Sequence, residues 1–170
     1  MDEIDLESDC SNCAALCCVA LAFDKSTMFA IDKPAGIACP NLASDYTCAI
    51  HKNLQPAGFQ GCMNYDCDGA GQRVTQSLFA GRSWRDSPAI LTEMLEAFRG
   101  MRQVHARLVL LKAASKLPLS GSQKDELACL QEGISHPESW SVEELAGYGQ
   151  SQSAQDIKGF LQSLAGLVSR

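Results

Sequence analysis

The sequence predicts a mainly α protein in two parts: an irregular, cysteine-rich amino-terminal module packed on a carboxy-terminal antiparallel helical bundle. Three observations lead there. Eight of the nine cysteines lie in the first 67 residues. Six of the thirteen glycines and many turn formers also fall before residue 82, whereas residues 83–170 carry regular helical spacing and capping signals. The expected boundary therefore separates a module of residues 1–82 from a helical module of residues 83–170.

In the first part, Cys10 to Ala22 reads as a short helix and Thr27-Met-Phe-Ala-Ile31 as a strand that turns at Pro34 and Gly36. Short turns are expected from Cys39 to Cys67, with a helical segment around Cys48 to Leu54. The apolar content here is modest, so the region needs cross-links or metal to hold a fold. In the second part, Ser87-Pro88 opens a long helix to about Leu117, with proline at a position where its missing N–H costs nothing. Leu91, Met94, Phe98, Met101, His105 and Leu108 recur at spacings of three and four, forming its buried face. Pro118 and Gly121 end it. Ser122-Gln-Lys-Asp125 reads as a capping box for a helix with Leu127, Leu130 and Ile134 inward. Ser141-Val-Glu-Glu144 is a second capping box. Ser153 is expected to cap a last helix with Ile157, Phe160, Leu161, Leu164 and Val168 on one face. Connections this short favour an antiparallel bundle.

Composition narrows the function. Apolar residues make up 46% and charged residues 20%, the balance of a globular chain rather than a disordered one. No apolar run approaches the roughly 18–20 residues that cross a bilayer. The opening Met1-Asp-Glu-Ile-Asp-Leu-Glu7 is acidic, unlike a secretory signal. A cytoplasmic protein with no membrane partner is expected. The net charge of −6 argues against nucleic acid, which needs a basic face. An unidentified protein partner stays open.

In a reducing cytosol, clustered cysteines point to metal or redox chemistry ahead of disulfides or ordinary buried thiols. The expected ligands are Cys10, Cys13, Cys17, Cys18, Cys39, Cys48, Cys62 and Cys67, with Cys129 left over. If residues 10–18 are helical, about 100° per residue puts Cys10, Cys13 and Cys17 on one face and turns Cys18 aside, to serve a neighbouring centre or to close the set after a local distortion. As a turn, Cys10-x-x-Cys13 is instead a knuckle of the kind structural zinc uses. Eight thiolates suit two four-coordinate zinc sites or one iron–sulfur cluster with thiols to spare. Softness selects zinc, iron–sulfur or Cu(I) and excludes magnesium and calcium, and spacing does not choose among the three. His51, separated from Cys48 by two residues, is a candidate ligand but more readily a surface or supporting group.

The run Cys10-x2-Cys13-x3-Cys17-Cys18, followed by Cys39-Pro-Asn-Leu42 and Cys48-Ala-Ile-His51, resembles the YkgJ-like family of CxxCxxCC zinc- or iron-chelating proteins. The resemblance implies a ligand set of Cys10, Cys13, Cys17, Cys18, Cys39, Cys48 and Cys62. The chain departs from the family pattern in the three-residue gap before its cysteine pair and in lacking an Arg-Pro dipeptide before the last cysteine. Residues 8–110 are also similar to the amino-terminal region of certain bacterial pentapeptide-repeat proteins. That likeness rests on Asp32-Lys-Pro-Ala-Gly36, Gly58-Phe-Gln-Gly-Cys62, Tyr65-Asp-Cys67-Asp-Gly-Ala-Gly-Gln-Arg-Val74, Gly81-Arg-Ser-Trp-Arg85 and Met101-Arg-Gln-Val-His105. No pentapeptide repeat is present in this chain.

Other residues have plainer readings. Asp68-Gly-Ala-Gly-Gln-Arg73 lacks the residues of a phosphate loop and reads as a tight turn bringing backbone close to the cysteine region. His105, on an apolar stripe, is expected as a locally bonded core histidine ahead of a ligand. His136 is expected in a solvated loop. Gln72, Arg73 and Arg82 are candidate donors to thiolate sulfur, with surface charge the simpler account. Trp84 and Trp140 read as hydrophobic anchors. Asp66 and Asp68 flank Cys67 without making an acid/base pair. Cysteine-hydrolase chemistry, which needs one activated thiol beside a base, is excluded by eight clustered ones. No enzymatic activity is specified. The function expected is metal binding, with zinc in a structural or interaction module first. An iron–sulfur redox or maturation protein comes second, and a thiol redox sensor third.

Overall fold

The computed structural model describes residues 4–135 and 140–168; the expectation for His136 lies outside them. The described chain is mainly helical, and its only extended pairings are two isolated antiparallel bridges, Phe23 with Lys33 and Leu42 with Cys48. The helices are α1 (Leu16–Ala20), α2 (Gln60–Met63), α3 (Ala70–Arg73), α4 (Leu91–Ala114), α5 (Gly121–Ser135), α6 (Val142–Gly147), α7 (Gln152–Ser163) and α8 (Ala165–Val168).

Around α4 the rest is arranged. A 3-10 turn, Pro88–Ile90, carries the proline at its start and leads into the helix. The expected stripe is buried, with Met94, Phe98, Met101, His105 and Leu108 almost wholly covered. Ala97, Val104 and Leu111 are covered too, so the buried face is wider than one stripe. The reason is that α4 packs against α1, α3, α5, α6 and α7. At Gly100 the approach of α6 is so close that a Cβ would run into the Leu145 carbonyl. One hydrophobic cluster joins Leu16, Val19, Ala70, Val74 and Phe79 of the first part to Met94, Phe98, Leu145, Ile157 and Phe160 of the second.

Several expected boundaries move. Cys10 to Ala22 is not one helix: a 3-10 turn, Cys10–Asn12, capped by Asp9, is followed by Ala15 at φ +54° and only then by α1. Both peptide groups of Ala14 are claimed from elsewhere. Its N–H donates to Thr75 Oγ1 at 3.0 Å, and its carbonyl accepts from Trp84 Nε1 at 2.8 Å. A continuous helix cannot satisfy those partners and its own ladder together. Thr27–Ile31 is not a strand, because Ser26 N–H donates to the Phe29 carbonyl and folds the segment into a turn. Phe29 thereby stacks on Phe23, with ring centroids 4.3 Å apart. The segment near Cys48 is reduced to a 3-10 turn, His51–Asn53.

In the second part the capping box of α5 is Ser120 with Gln123, not Ser122 with Asp125. Ser120 N–H donates to Gln123 Oε1 at 2.9 Å and Gln123 N–H to Ser120 Oγ at 3.4 Å. The box at Ser141 and Glu144 forms as expected. The cap of α7 is Ser151, whose Oγ accepts from Ala154 N–H, rather than Ser153. That helix ends at Ser163, leaving Val168 on α8 67% exposed and not on the buried face.

The tightness at Gly100 is testable. Gly100→Ala should lower stability by about 2 kcal/mol or more through overpacking. Gly133→Ala on α5, where a Cβ meets nothing within 4 Å, should instead raise it by up to about 1 kcal/mol through helix propensity. Urea unfolding of the two variants reads both signs.

Candidate metal centres

Two neighbourhoods gather the amino-terminal thiols. The first is built where residues 7–14 lie along α3 and the π-helical turn that continues it, Val74–Leu78. Asp9 N–H donates to Gln72 Oε1 at 2.8 Å, and Gln72 Nε2 donates to the Glu7 carbonyl at 2.7 Å. Gln76 Nε2 donates to the Asn12 carbonyl at 2.9 Å. Thr75 Oγ1 accepts from Ala14 N–H and donates to the Gly71 carbonyl at 2.9 Å. This stitching presses Cys13 onto Gly71. A Cβ there would lie 2.7 Å from Cys13 Sγ and 3.7 Å from Cys67 Sγ, so both sulfurs face one bare backbone position. Of the tight turn expected over residues 68–73 only Asp68 and Gly69 form a turn, and Ala70–Arg73 is helical; the close approach of backbone is to the Cys13 sulfur.

Electrostatics tie Cys10 and Cys17 to the same place. Burial raises the Cys10 thiol, and the charges of Cys67 and Cys18 raise it further. Burial also raises Cys13, with Cys67 adding to it. Cys17 is pushed far up, first by its contact with Cys18, then by burial, with Cys13 and Cys10 contributing. Beside this group the buried Tyr65 hydroxyl has no protein hydrogen-bond partner. Burial raises that phenol strongly, while Arg102, stacked 5.3 Å from the ring centroid, opposes the rise.

The second neighbourhood surrounds Lys33. Cys39 N–H donates to the Cys18 carbonyl at 3.0 Å. Leu42 N–H bonds the Cys39 carbonyl while Leu42 itself bridges Cys48, which brings Cys48 back beside Cys39. Cys62 arrives on α2, anchored by Gly61 N–H on the Met28 carbonyl at 3.0 Å and by the Phe59 edge on Phe23. Burial pushes the Cys62 thiol up to about 11, the charges of Cys18, Cys39 and Cys48 adding to it and the Lys33 ammonium opposing. Cys48 is raised by burial, then by Cys18 and Cys39.

Lys33, named in the sequence only as part of a turn, is 3% exposed. Its Nζ donates to the carbonyls of Val19, Pro34 and Ile37 at 3.2, 3.1 and 2.8 Å. Burial lowers its pKa, and the surrounding thiolates of Cys39, Cys18, Cys17 and Cys62 hold it up. A buried cation among thiols offsets the charge that their ionisation would build. The only hint in sequence was a lysine inside a cysteine-rich stretch, which does not foretell three convergent carbonyls.

Cys17 and Cys18 join the two neighbourhoods, their sulfurs 3.9 Å apart. The shared proton holds Cys17 up and brings Cys18 down to about 7, Lys33 acting in the same direction. All nine cysteines are free thiols. Among the described residues, no three His, Cys, Asp or Glu side chains already converge as tightly as a ligated metal demands. The thiols are neighbours whose charges act on one another. Most donors present are sulfur, which fits soft cations, with Ser8 Oγ 3.1 Å from Cys67 Sγ and Asp66 beside it. His51 is exposed, and Cys129 is exposed on α5.

The remaining candidates support the frame. Gln72 holds the amino-terminal segment at Glu7 and Asp9, and Arg82 Nε donates to the Phe79 carbonyl. Arg73 donates to His105 Nε2 at 3.2 Å and to the Ser135 carbonyl. Because a guanidinium only donates, His105 Nε2 accepts, and Nδ1 carries the proton given to the Asp68 carbonyl, one residue beyond Cys67. His105 thus fastens the Cys67 loop to α4.

No protein-family model matches the chain, and no solved structure matches it. A curated relative, "Uncharacterized protein YybG" of Bacillus subtilis (strain 168), is 38% identical over 164 residues, 96% of this chain and 59% of that protein. The chain therefore spans 59% of the length of the curated relative it matches, and the similarity runs through both the cysteine-rich and the helical part.

Two measurements follow. Gly71→Ala is compatible with the helical backbone, so its cost comes from displacing the Cys13 sulfur. It should weaken the fold by about 1–3 kcal/mol in urea titrations. His105 is held down to about 4 from its ordinary 6.5, chiefly by burial and secondarily by Arg73, with the Asp68 bond opposing. The unfolded chain thus binds a proton that the folded chain refuses. This contribution is complete above about pH 6.5 and is lost as pH falls toward 4. His105→Asn keeps a donor and an acceptor but does not titrate, so the gap in urea midpoint between it and wild type should change across that window and stay constant above it.

Proposed function

We propose that this chain is an intracellular metal-binding protein in which cysteine thiolates hold zinc, chiefly to fix the shape of an interaction module. In this reading residues 1–82 are the metal-binding module and residues 83–170 the antiparallel bundle that carries it. The observation that carries the proposal is the meeting of thiol-bearing segments from separate stretches of chain, Cys13 and Cys67 against Gly71, Cys17 against Cys18 at 3.9 Å and Cys39 on the Cys18 carbonyl, while Cys129 stands apart on α5. Core packing alone gives no reason to collect thiols whose ionisation opposes one another. A bound divalent cation does, by replacing their protons. The scarcity of regular backbone between Cys18 and Cys67 supports a structural role, because ligation supplies the cross-links that this stretch otherwise lacks.

An iron–sulfur protein is the second reading, favoured by the contact between Cys17 and Cys18, which makes the thiols one continuous sulfur-lined patch. Elemental analysis and a visible spectrum of protein purified without air separate the two. Zinc without colour is expected; iron with sulfide and a brown absorbance would replace the first reading with the second. Chelation of zinc should abolish the ordered structure of residues 1–82 while α4 to α7 retain helical circular dichroism. A chain that holds no metal and keeps its unfolding midpoint with chelator would refute both.

A further inference from the structure

We propose that the eight cysteines form two separate four-thiolate centres, Cys10, Cys13, Cys17 and Cys67 in one and Cys18, Cys39, Cys48 and Cys62 in the other, lying side by side through the adjacent Cys17 and Cys18. This rests on the metal-binding reading and goes beyond it by dividing the ligands.

The division follows from the scaffold. Cys10, Cys13 and Cys67 are held by one structural unit, the stitching of residues 7–14 to α3 and its π-helical continuation. Gly71 supplies the bare backbone against which the Cys13 and Cys67 sulfurs meet. Cys39, Cys48 and Cys62 belong to a different unit, the turns joined by the Phe23–Lys33 and Leu42–Cys48 bridges and by the Gly61–Met28 hydrogen bond. Each unit provides three thiols and each lacks a fourth. The missing one comes from α1. Cys18 is tied to the second unit by its carbonyl on Cys39 N–H, and Cys17, its sulfur 3.9 Å from that of Cys18, is the thiol left for the first.

The supporting groups divide in the same way. The buried Tyr65 hydroxyl, a donor without a protein acceptor, stands by the first set, where its neighbours include Cys17 and Cys67. A thiolate would accept that proton. Lys33 stands by the second set, its ammonium acted on first by Cys39 and Cys18, then by Cys17 at the junction and by Cys62. A divalent cation on four thiolates carries a net charge of −2, which a buried ammonium partly neutralises.

The test uses the full chain, loaded with zinc and separately with Co(II), whose bands report thiolate ligation without any enzymatic assay. Wild type is expected to bind two equivalents. Cys13→Ser/Cys67→Ser should keep one, with Cys18, Cys39, Cys48 and Cys62 still protected from alkylation and Cys10 and Cys17 reactive. Cys39→Ser/Cys62→Ser should show the converse pattern, and Cys129→Ser should keep both. Gly71→Ala, which disturbs only the first set, should weaken one equivalent at least tenfold and leave the other unchanged; it stands in for a double variant that loses helical circular dichroism. One equivalent in wild type, or equal weakening of both equivalents by Gly71→Ala, would overturn the partition while leaving metal binding intact. No zinc or Co(II) bound by wild type would instead overturn the metal reading itself.

Discussion

The seating of α1 and α3 on α4 is the constraint on which the other features depend. Residues 4–82 contain little regular backbone and only isolated bridges, so they have no ladder or long helix of their own. What they have is a small set of apolar side chains, Leu16, Val19, Ala70, Val74 and Phe79, buried in the same cluster as Met94, Phe98 and Met101. Each such side chain contributes about 1.5–3 kcal/mol when fully buried. Three of the cysteines are attached to these short helices, Cys17 and Cys18 on α1 and Cys67 just before α3. The sulfur neighbourhoods are thereby positioned from one side by α4, even though α4 supplies none of the sulfurs.

Polar bonds refine what apolar burial begins. His105 reaches from α4 to the Asp68 carbonyl and is itself fixed by Arg73, so a buried chain of three groups sets the height of the Cys67 loop. Lys33 does the corresponding work on the other side by drawing the carbonyls of Val19, Pro34 and Ile37 to one point. Both devices use a cationic or neutral donor to organise backbone oxygen. Buried donors in such positions are costly if left unpaired, so each conformation is well determined once its partners are present.

Much of α4 to α7 is legible in the sequence because its signals are local. The spacing of Leu91, Met94, Phe98 and Met101, the proline at 88 and the Ser141–Glu144 box lie within a turn or two of what they specify. Local degeneracy explains the small errors: Ser120-Gly-Ser-Gln123 offers the same box as Ser122-Gln-Lys-Asp125, and only the fold decides between them. The amino-terminal part resists for the opposite reason. Its break at Ala15 is caused by Thr75 and Trp84, some sixty and seventy residues away. The cysteines themselves were plain as a group. Their grouping was not, because it depends on which distant segment each one is stitched to.

That grouping has a compact geometric source in α1. Leu16, Val19 and Ala20 are buried against the core, and at about 100° per residue they occupy one side of the helix. Cys17 and Cys18 are then forced onto the other side, about 100° apart, facing its two flanks. One flank is closed by residues 7–14 and α3; the other is closed by Lys33 and the turn that carries Cys39. A single intervening residue would put the thiols about 200° apart and so turn one of them toward the buried side. Two adjacent cysteines on a five-residue helix can therefore serve two neighbouring surfaces, and the left-handed residue Ala15 sets the phase at which they do so.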